Sequence, residues 1–101
     1  MKYTTQDLAN RSIALANVDS ERDSQDAKWG EQNHTIEWMS ILGEEFGEAC
    51  QEFNRVHFAS CSDKNLRAEL IQVAAVAVAI VECLDRKNAR LNKLVSDEGG
   101  V

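Results

Sequence analysis

Four glutamates crowd one short segment of the chain, GEEFGEACQEF, which runs from Gly43 to Phe53. They are Glu44, Glu45, Glu48 and Glu52. No lysine or arginine occurs between Glu37 and Phe53, although surface helices usually place cations four residues from their carboxylates. Two carboxylates about 6 Å apart repel each other by roughly 3 kcal/mol at an effective dielectric of about 20. We therefore expect a positive group to lie close to this segment.

A second pair of oxygen-bearing side chains, Glu69 and Gln72, follows some twenty residues later. At a spacing of three they project from the same side of a helix. Carboxylate and amide oxygens are ligands that Mg²⁺ and Mn²⁺ accept. We therefore predict a two-helix metal site with four ligands: Glu45, Glu48, Glu69 and Gln72. Taken separately, Glu69 is better explained as a carboxylate near a helix N-terminus, and Gln72 as a hydrogen-bonded core amide.

The elements that must position these groups are predicted to be helices, because the chain has no proline and only five glycines. The first helix is predicted to begin after Thr4 or Thr5 and to end at about Lys28, through a polar segment taken as exposed. The second runs from Ile36, capped by Thr35, to about His57. Its apolar positions share one arc, and its glutamates occupy the adjoining arc.

The third helix starts near Leu66 and has only one polar residue, Gln72, between Leu70 and Val81. A helix that is apolar on every side must be surrounded, and this apolar run is too short to span a membrane. The basic segment 86–93 either ends this helix or forms a short fourth. We predict an all-α, antiparallel bundle of three long helices plus a short C-terminal one, completed by oligomerisation.

Composition limits the classes of function. The 101 residues form one predicted domain, 1–101, with a frayed tail at 96–101. Its 11 lysines and arginines against 17 aspartates and glutamates, a net charge of −6, argue against binding to duplex nucleic acid. The three cysteines lack a CxxC spacing; Cys50 and Cys83 fall on predicted core faces, which indicates a reducing cytosol. The N-terminus is too polar for a signal peptide, so we expect a cytoplasmic protein without membrane contact.

The order of these motifs resembles the MazG-like, all-α nucleoside triphosphate pyrophosphohydrolases. The metal-binding signature of that family, EExxE followed by ExxD, corresponds here to Glu44, Glu45 and Glu48, then Glu69 and Gln72. Gln72 departs from the pattern, because the family has Asp there. The segments KWGEQNH and RAELIQVAAVAVA are similar to a phage and actinobacterial branch of the family. The resemblance extends from about Asp26 to Arg86.

The resemblance implies hydrolysis of a nucleoside or deoxynucleoside triphosphate to the monophosphate and pyrophosphate. It implies Mg²⁺, or Mn²⁺, held by Glu45, Glu48 and Glu69, and a homodimer or a dimer of dimers. Glu44 and Glu45 are the predicted catalytic residues, with Glu44 accepting the proton of the attacking water. An amide at Gln72 is expected to weaken metal binding. The alternative is a non-catalytic helical oligomer whose acidic stripe binds a nucleotide or a basic partner protein.

Substrate contacts are predicted from two further groups of residues. These are Lys28, Trp29, Asn33, His34, Arg86 and Arg90. Trp29 could stack on a base, but it is equally well explained by packing at the end of the bundle, with His34 in the helix cap. Arg86 and Arg90 could reach phosphates, but cations at a helix C-terminus more often simply complement the helix dipole. Glu82 and Asp85 form a literal ExxD, yet they point away from Glu69 and are assigned to the surface.

Overall fold

The computed structural model describes residues 2–30 and 35–99, which form three α-helices. They are α1 (Thr5–Trp29), α2 (Thr35–Ala59) and α3 (Lys64–Gly99). The predicted all-α class and the three long helices are confirmed. The short fourth helix is not a separate element, because segment 86–93 continues α3 over a total of 36 residues. No glycine or proline interrupts the chain between Leu84 and Glu98, so nothing breaks the helix there.

Helix α1 begins and ends where local chemistry requires. Thr4 is its N-cap: Thr4 Oγ1 accepts a hydrogen bond from the Asp7 N–H at 3.0 Å, and the Thr4 N–H donates to Asp7 Oδ2 at 2.8 Å. These two bonds form a capping box, and the hydrogen bond that the Thr4 N–H donates to the carboxylate holds the pKa of Asp7 below its ordinary value. The helix ends before Gly30, whose φ of 74° favours glycine. The predicted start and end are therefore confirmed.

The side of α1 that faces the other helices is polar, which the sequence did not lead us to expect. Arg22 and Gln25 are buried, although they belong to the segment predicted to be exposed. The apolar residues Leu8, Ile13 and Leu15 are exposed instead. The first half of α1 therefore protrudes, and its second half packs on the rest of the molecule through polar side chains.

Helix α3 packs against both other helices and forms the centre of the structure. The buried core is a cluster from α2 and α3, with Trp29, Ile41 and Leu42 packed against it. Its members are Trp38, Val76, Ala79, Ile80 and Cys83. The rings of Trp29 and Trp38 meet edge to face with centroids 5.8 Å apart, which joins α1 to α2. The core therefore lies beside the middle of α3, as its apolar sequence predicted.

One side of α3 stays open even though its middle is buried. Leu70, Val78 and Val81 are exposed, whereas Val76 is fully buried. The molecule is elongated, with extents of 65 × 34 × 25 Å and a radius of gyration of 17.9 Å, against about 13 Å for a compact chain of this length. The prediction that oligomerisation completes the bundle stays a prediction.

The fold also tests what the sequence predicted about the cysteines and about membrane-spanning segments. Cys83 is buried, as predicted, but Cys50 is exposed together with Cys61, and all three thiols are free. The placement of Cys50 in the core was therefore wrong for the isolated chain. None of the helices, over the residues described, has a segment long and apolar enough to cross a membrane.

Candidate metal centre

Three of the predicted metal ligands converge between α2 and α3. Glu45 and Glu48 lie about one turn apart on α2, and Glu69 lies in the second turn of α3. One carboxylate oxygen from each lies within 4.8 Å of the others. Over the parts of the chain that the structure describes, this is the one group of three or more acidic, histidine or cysteine side chains arranged in this way. The central expectation from the sequence is thus met geometrically.

The three carboxylates differ in their contact with solvent. Glu48 is exposed, whereas Glu45 and Glu69 are half-buried. The Oε2 atoms of Glu45 and Glu69 are buried and accept no hydrogen bond from any described residue. An ionised carboxylate can only accept hydrogen bonds, so the three groups cannot satisfy one another unless one carries a proton. These unsatisfied oxygens need a proton or a cation.

The protonation of Glu69 follows from this crowding. Burial, together with the negative charges of Glu48 and Glu45, raises the pKa of Glu69 from 4.5 to about 7. Burial and the charge of Glu48 also raise the pKa of Glu45, but a hydrogen bond with Glu69 opposes that rise. A proton held on Glu69 can therefore be donated to Glu45. Near neutral pH and without a cation, the cluster relieves part of its repulsion by binding this proton.

Helix α1 supplies the nearest charges outside the cluster. Lys28 lies close enough to Glu45 to oppose the rise of its pKa, while Glu21 adds to that rise. The Lys28 ammonium also lies 4.8 Å from the centroid of the Trp29 ring. One turn after Glu48, on the same side of α2, Glu52 accepts a hydrogen bond from Arg55 at 3.1 Å. The positive groups expected near the glutamates are therefore Lys28 and Arg55, both outside segment 37–53.

Glu44 and Gln72 are placed differently from the three converging glutamates. Glu44 is exposed on α2 and is not a member of the converging group. Gln72 is half-buried, and its backbone carbonyl accepts a hydrogen bond from Gln25 Nε2 at 3.3 Å. That bond fixes the backbone of α3 one turn after Glu69. The roles of Glu44 as a proton acceptor and of the Gln72 amide as a ligand stay predictions.

The residues predicted to contact the substrate lie in different environments. Trp29 packs against Trp38 and the core cluster, which favours its packing role at the end of the bundle. Arg86 donates a hydrogen bond to Cys83 Sγ at 3.3 Å, and Arg90 is exposed. Asn33 and His34 lie outside the described residues. Contact between any of these residues and a substrate stays a prediction.

An ion-pair cluster that sequence reasoning missed lies at the α1–α3 contact. The Arg22 guanidinium donates to Glu82 at 2.6 Å and to Asp26 at 3.0 Å, and it lies 5.6 Å from the centroid of the Trp38 ring. Glu82 is therefore a structural partner of a buried arginine, although its side chain stays 41% exposed at the surface to which the sequence assigned it. Asp85 is exposed, as predicted. The Arg22–Asp26 spacing of four was visible in the sequence, but a partner 60 residues away was not.

Comparison of the chain with protein-family models, with curated proteins and with solved structures gives no match. The resemblance to MazG-like enzymes therefore depends on the motif residues alone. The findings establish an all-α, three-helix protein whose acidic cluster could hold a metal ion.

Proposed function

We propose that the protein is a Mg²⁺-dependent nucleoside triphosphate pyrophosphohydrolase of the MazG-like type. One observation supports this function above all others: Glu45, Glu48 and Glu69 come from both halves of the suspected signature and bring their carboxylates within 4.8 Å. An unrelated bundle with a solvated acidic face would have no reason to bring together like charges from two helices.

The residues present fit a divalent cation. Mg²⁺ binds oxygen ligands at 2.0–2.1 Å, so two ligands of one ion are separated by at most about 4 Å. The observed limit of 4.8 Å is close to that separation. Glu45 and Glu69 each have a buried oxygen, Oε2, without a hydrogen-bond donor among the described residues, and a cation between these carboxylates would offset their charge. Glu45, Glu48 and Glu69 are the residues that would hold it.

The reaction requires cleavage of the bond between the α- and β-phosphates. When bound, Mg²⁺ supplies charge neutralisation for the triphosphate and lowers the pKa of a coordinated water. Glu44, exposed beside Glu45, accepts a proton as the water oxygen adds to phosphorus. The bridging oxygen leaves with pyrophosphate. Lys28 lies on the α1 side of the cluster, where its ammonium attracts the phosphate charges.

The test is pyrophosphate release from a panel of nucleoside and deoxynucleoside triphosphates in the presence of Mg²⁺. Glu48→Gln should abolish turnover, because it removes a cation ligand. Glu37→Gln is the matched control, since Glu37 is an exposed glutamate on the same helix outside the cluster. The proposal fails if no triphosphate is hydrolysed, or if the two variants lose activity equally.

A direct binding measurement separates the second candidate function. Gln72 stands where the family has a carboxylate, and this change favours a protein that binds nucleotide without turning it over. Mn²⁺ binding, followed by electron paramagnetic resonance, should weaken in Glu48→Gln and strengthen in Gln72→Asp. Mn²⁺ and nucleotide binding without pyrophosphate release would establish the non-catalytic alternative, an oligomer that acts through its acidic stripe.

A further inference from the structure

The buried Arg22 side chain contacts all three helices. Its guanidinium donates hydrogen bonds to Asp26 on α1, at 3.0 Å, and to Glu82 on α3, at 2.6 Å. The same group lies 5.6 Å from the centroid of the Trp38 ring on α2. A planar guanidinium presents five donors in a fixed fork, so it can bond two carboxylates and also lie over a ring. This side chain therefore constrains where α2 and α3 lie relative to each other.

A second buried side chain of α1, Gln25, bonds to α3 directly. Gln25 follows Arg22 by three residues on the same side of α1 and is 2% exposed. Its Nε2 donates a hydrogen bond to the backbone carbonyl of Gln72 at 3.3 Å. Arg22 and Gln25, together with the carboxylates of Asp26 and Glu82, form a contact that we call the polar interface.

The polar interface touches α2 and α3 within two turns of the acidic cluster. Gln72 follows Glu69 by one turn of α3. Trp38 precedes Glu45 by seven residues, which places both on the same side of α2. Hydrogen-bonded turns of a helix move together as a rigid element. A shift of either helix at the polar interface would therefore move a carboxylate of the cluster.

Stability alone does not explain why this contact is polar. Arg22 Nε and Gln25 Oε1 are buried and have no hydrogen-bond partner among the described residues, and such atoms lower the stability of the fold. Apolar side chains of similar volume often stabilise a buried contact as well as an ion pair does. Directional bonds between polar groups instead select one register between helices. The polar interface is therefore better suited to fixing positions than to maximising stability.

We infer that Arg22 is a positioning residue for the acidic cluster, and that the polar interface holds the carboxylates at a spacing suited to a small divalent cation. The inference rests on the metal site of the proposed function, but not on hydrolysis. Mg²⁺ demands near-octahedral geometry at about 2.0–2.1 Å, whereas Ca²⁺ accepts flexible geometry at about 2.3–2.6 Å. Loosening the polar interface should therefore weaken Mg²⁺ binding more than Ca²⁺ binding.

The test is displacement of bound Mn²⁺ by Mg²⁺ and by Ca²⁺, followed by electron paramagnetic resonance. Arg22→Met combined with Glu82→Leu replaces the ion pair by apolar side chains, a change that often leaves stability unaltered or higher. We expect this double variant to bind Mg²⁺ roughly tenfold more weakly, as is typical when a group behind the ligands is lost. Its affinity for Ca²⁺ should change much less, so the preference for Mg²⁺ over Ca²⁺ should fall.

Two single variants separate positioning from folding and from charge. Arg22→Lys keeps the positive charge but lacks the planar fork, so it should lower the Mg²⁺ preference in the same direction and by a smaller factor. Arg11→Met is the matched control. Arg11 is an exposed arginine on α1 whose guanidinium lies 4.8 Å from the centroid of the Tyr3 ring. Its replacement should leave the affinities for both cations unchanged.

The possible results distinguish this inference from the proposed function. If the wild type binds Mn²⁺ and the Arg22 variants keep its Mg²⁺ preference, or lose affinity for both cations equally, the positioning role is overturned and the metal site stands. A wild type that binds no Mn²⁺ would overturn both. Mn²⁺ binding without pyrophosphate release would overturn the hydrolysis alone, and a reduced Mg²⁺ preference in the Arg22 variants would still establish the positioning role.

Discussion

Replacing Glu69 by glutamine should stabilise the metal-free protein near neutral pH. One carboxylate oxygen of Glu69 lies within 4.8 Å of a carboxylate oxygen of Glu45 and of Glu48. Glu69→Gln removes one of these three acidic groups. The introduced amide group can also donate a hydrogen bond to the buried Oε2 of Glu45, which has no donor among the described residues. One substitution thus removes two terms that destabilise the folded state: the repulsion between carboxylates and the unsatisfied hydrogen-bond acceptor of Glu45.

The size of the effect follows from the spacing of the carboxylates. Two charges at the 4.8 Å limit repel by about 0.9 kcal/mol in bulk water and by about 3.5 kcal/mol at an effective dielectric of 20. Glu48 is exposed and Glu69 only half-buried, so solvent screening favours the lower part of this range. We expect Glu69→Gln to raise the free energy of unfolding by about 1 kcal/mol, or the melting temperature by about 4–8 °C.

The pH dependence has a defined sign. The folded chain holds a proton on Glu69 up to about pH 7, whereas the unfolded chain releases it near 4.5. Between these values the unfolded state binds fewer protons, so this group makes the wild type less stable as pH rises from 4.5 to 7. The raised pKa of Glu45 acts in the same direction. The stabilisation by Glu69→Gln should therefore shrink as pH falls towards 4.5.

The assay is urea unfolding followed by circular dichroism, in EDTA, across this pH range. Asp85→Asn is the control, because Asp85 is an exposed carboxylate on the same helix outside the cluster; it should change stability little at any pH. In saturating Mg²⁺ the order should reverse, since a bound cation stabilises the wild type more than the variant. A Glu69→Gln protein that is less stable in EDTA, or whose stability difference does not vary with pH, would refute the crowding argument.

Four further substitutions test other parts of the structure. Arg22→Ala should lower the free energy of unfolding by about 2 kcal/mol, because it breaks a partly buried pair with Glu82, whereas Arg55→Ala at an exposed pair should cost less than about 0.5 kcal/mol in the same urea titration. Gly47→Ala should stabilise by about 0.5–1 kcal/mol, since a Cβ there would meet no described atom within 4 Å; destabilisation would mean that a partner or ligand approaches this position. Thr4→Ala should cost at most about 1 kcal/mol and should show mainly as faster amide exchange in the first turn of α1.

The sequence predicted those features that depend on short spacing. The Thr4 cap and the long helices follow from residues within a few turns of each other. The meeting of Glu45 and Glu48 with Glu69 is a contact between two helices, and it was expected from the order and spacing of the two motifs. Separating a short C-terminal helix was an avoidable error, because segment 86–93 has neither glycine nor proline. Local chemistry governs these features, so local patterns reveal them.

Features that depend on distant partners were not predictable in the same way. Arg22 lies in a polar segment, which predicts an exposed side chain. It is buried because its guanidinium pairs with Glu82 and lies over the Trp38 ring. The sequence also showed that the middle of α3 is apolar on every side. It could not show which of these sides packs against α1 and α2 and which stays exposed. That choice depends on how three helices pack in space. The sequence therefore defined the faces of α3, and the structure shows which side is still open.

The acidic cluster and the predicted contact between two copies of the chain should influence each other energetically. A second copy packed against the exposed apolar side chains of α2 and α3, such as Phe46 and Leu70, and reaching the cluster would remove water from beside Glu45 and Glu69, and charges repel more strongly in a lower dielectric. A divalent cation would then relieve a larger repulsion in the dimer than in the monomer. By reciprocity, Mg²⁺ should lower the dimer dissociation constant by the same factor by which dimerisation tightens Mg²⁺ binding. Sedimentation in EDTA and in Mg²⁺, on the wild type and on Glu48→Gln, measures this coupling. A dissociation constant that does not change with Mg²⁺ would show that the cluster and the contact surface act independently.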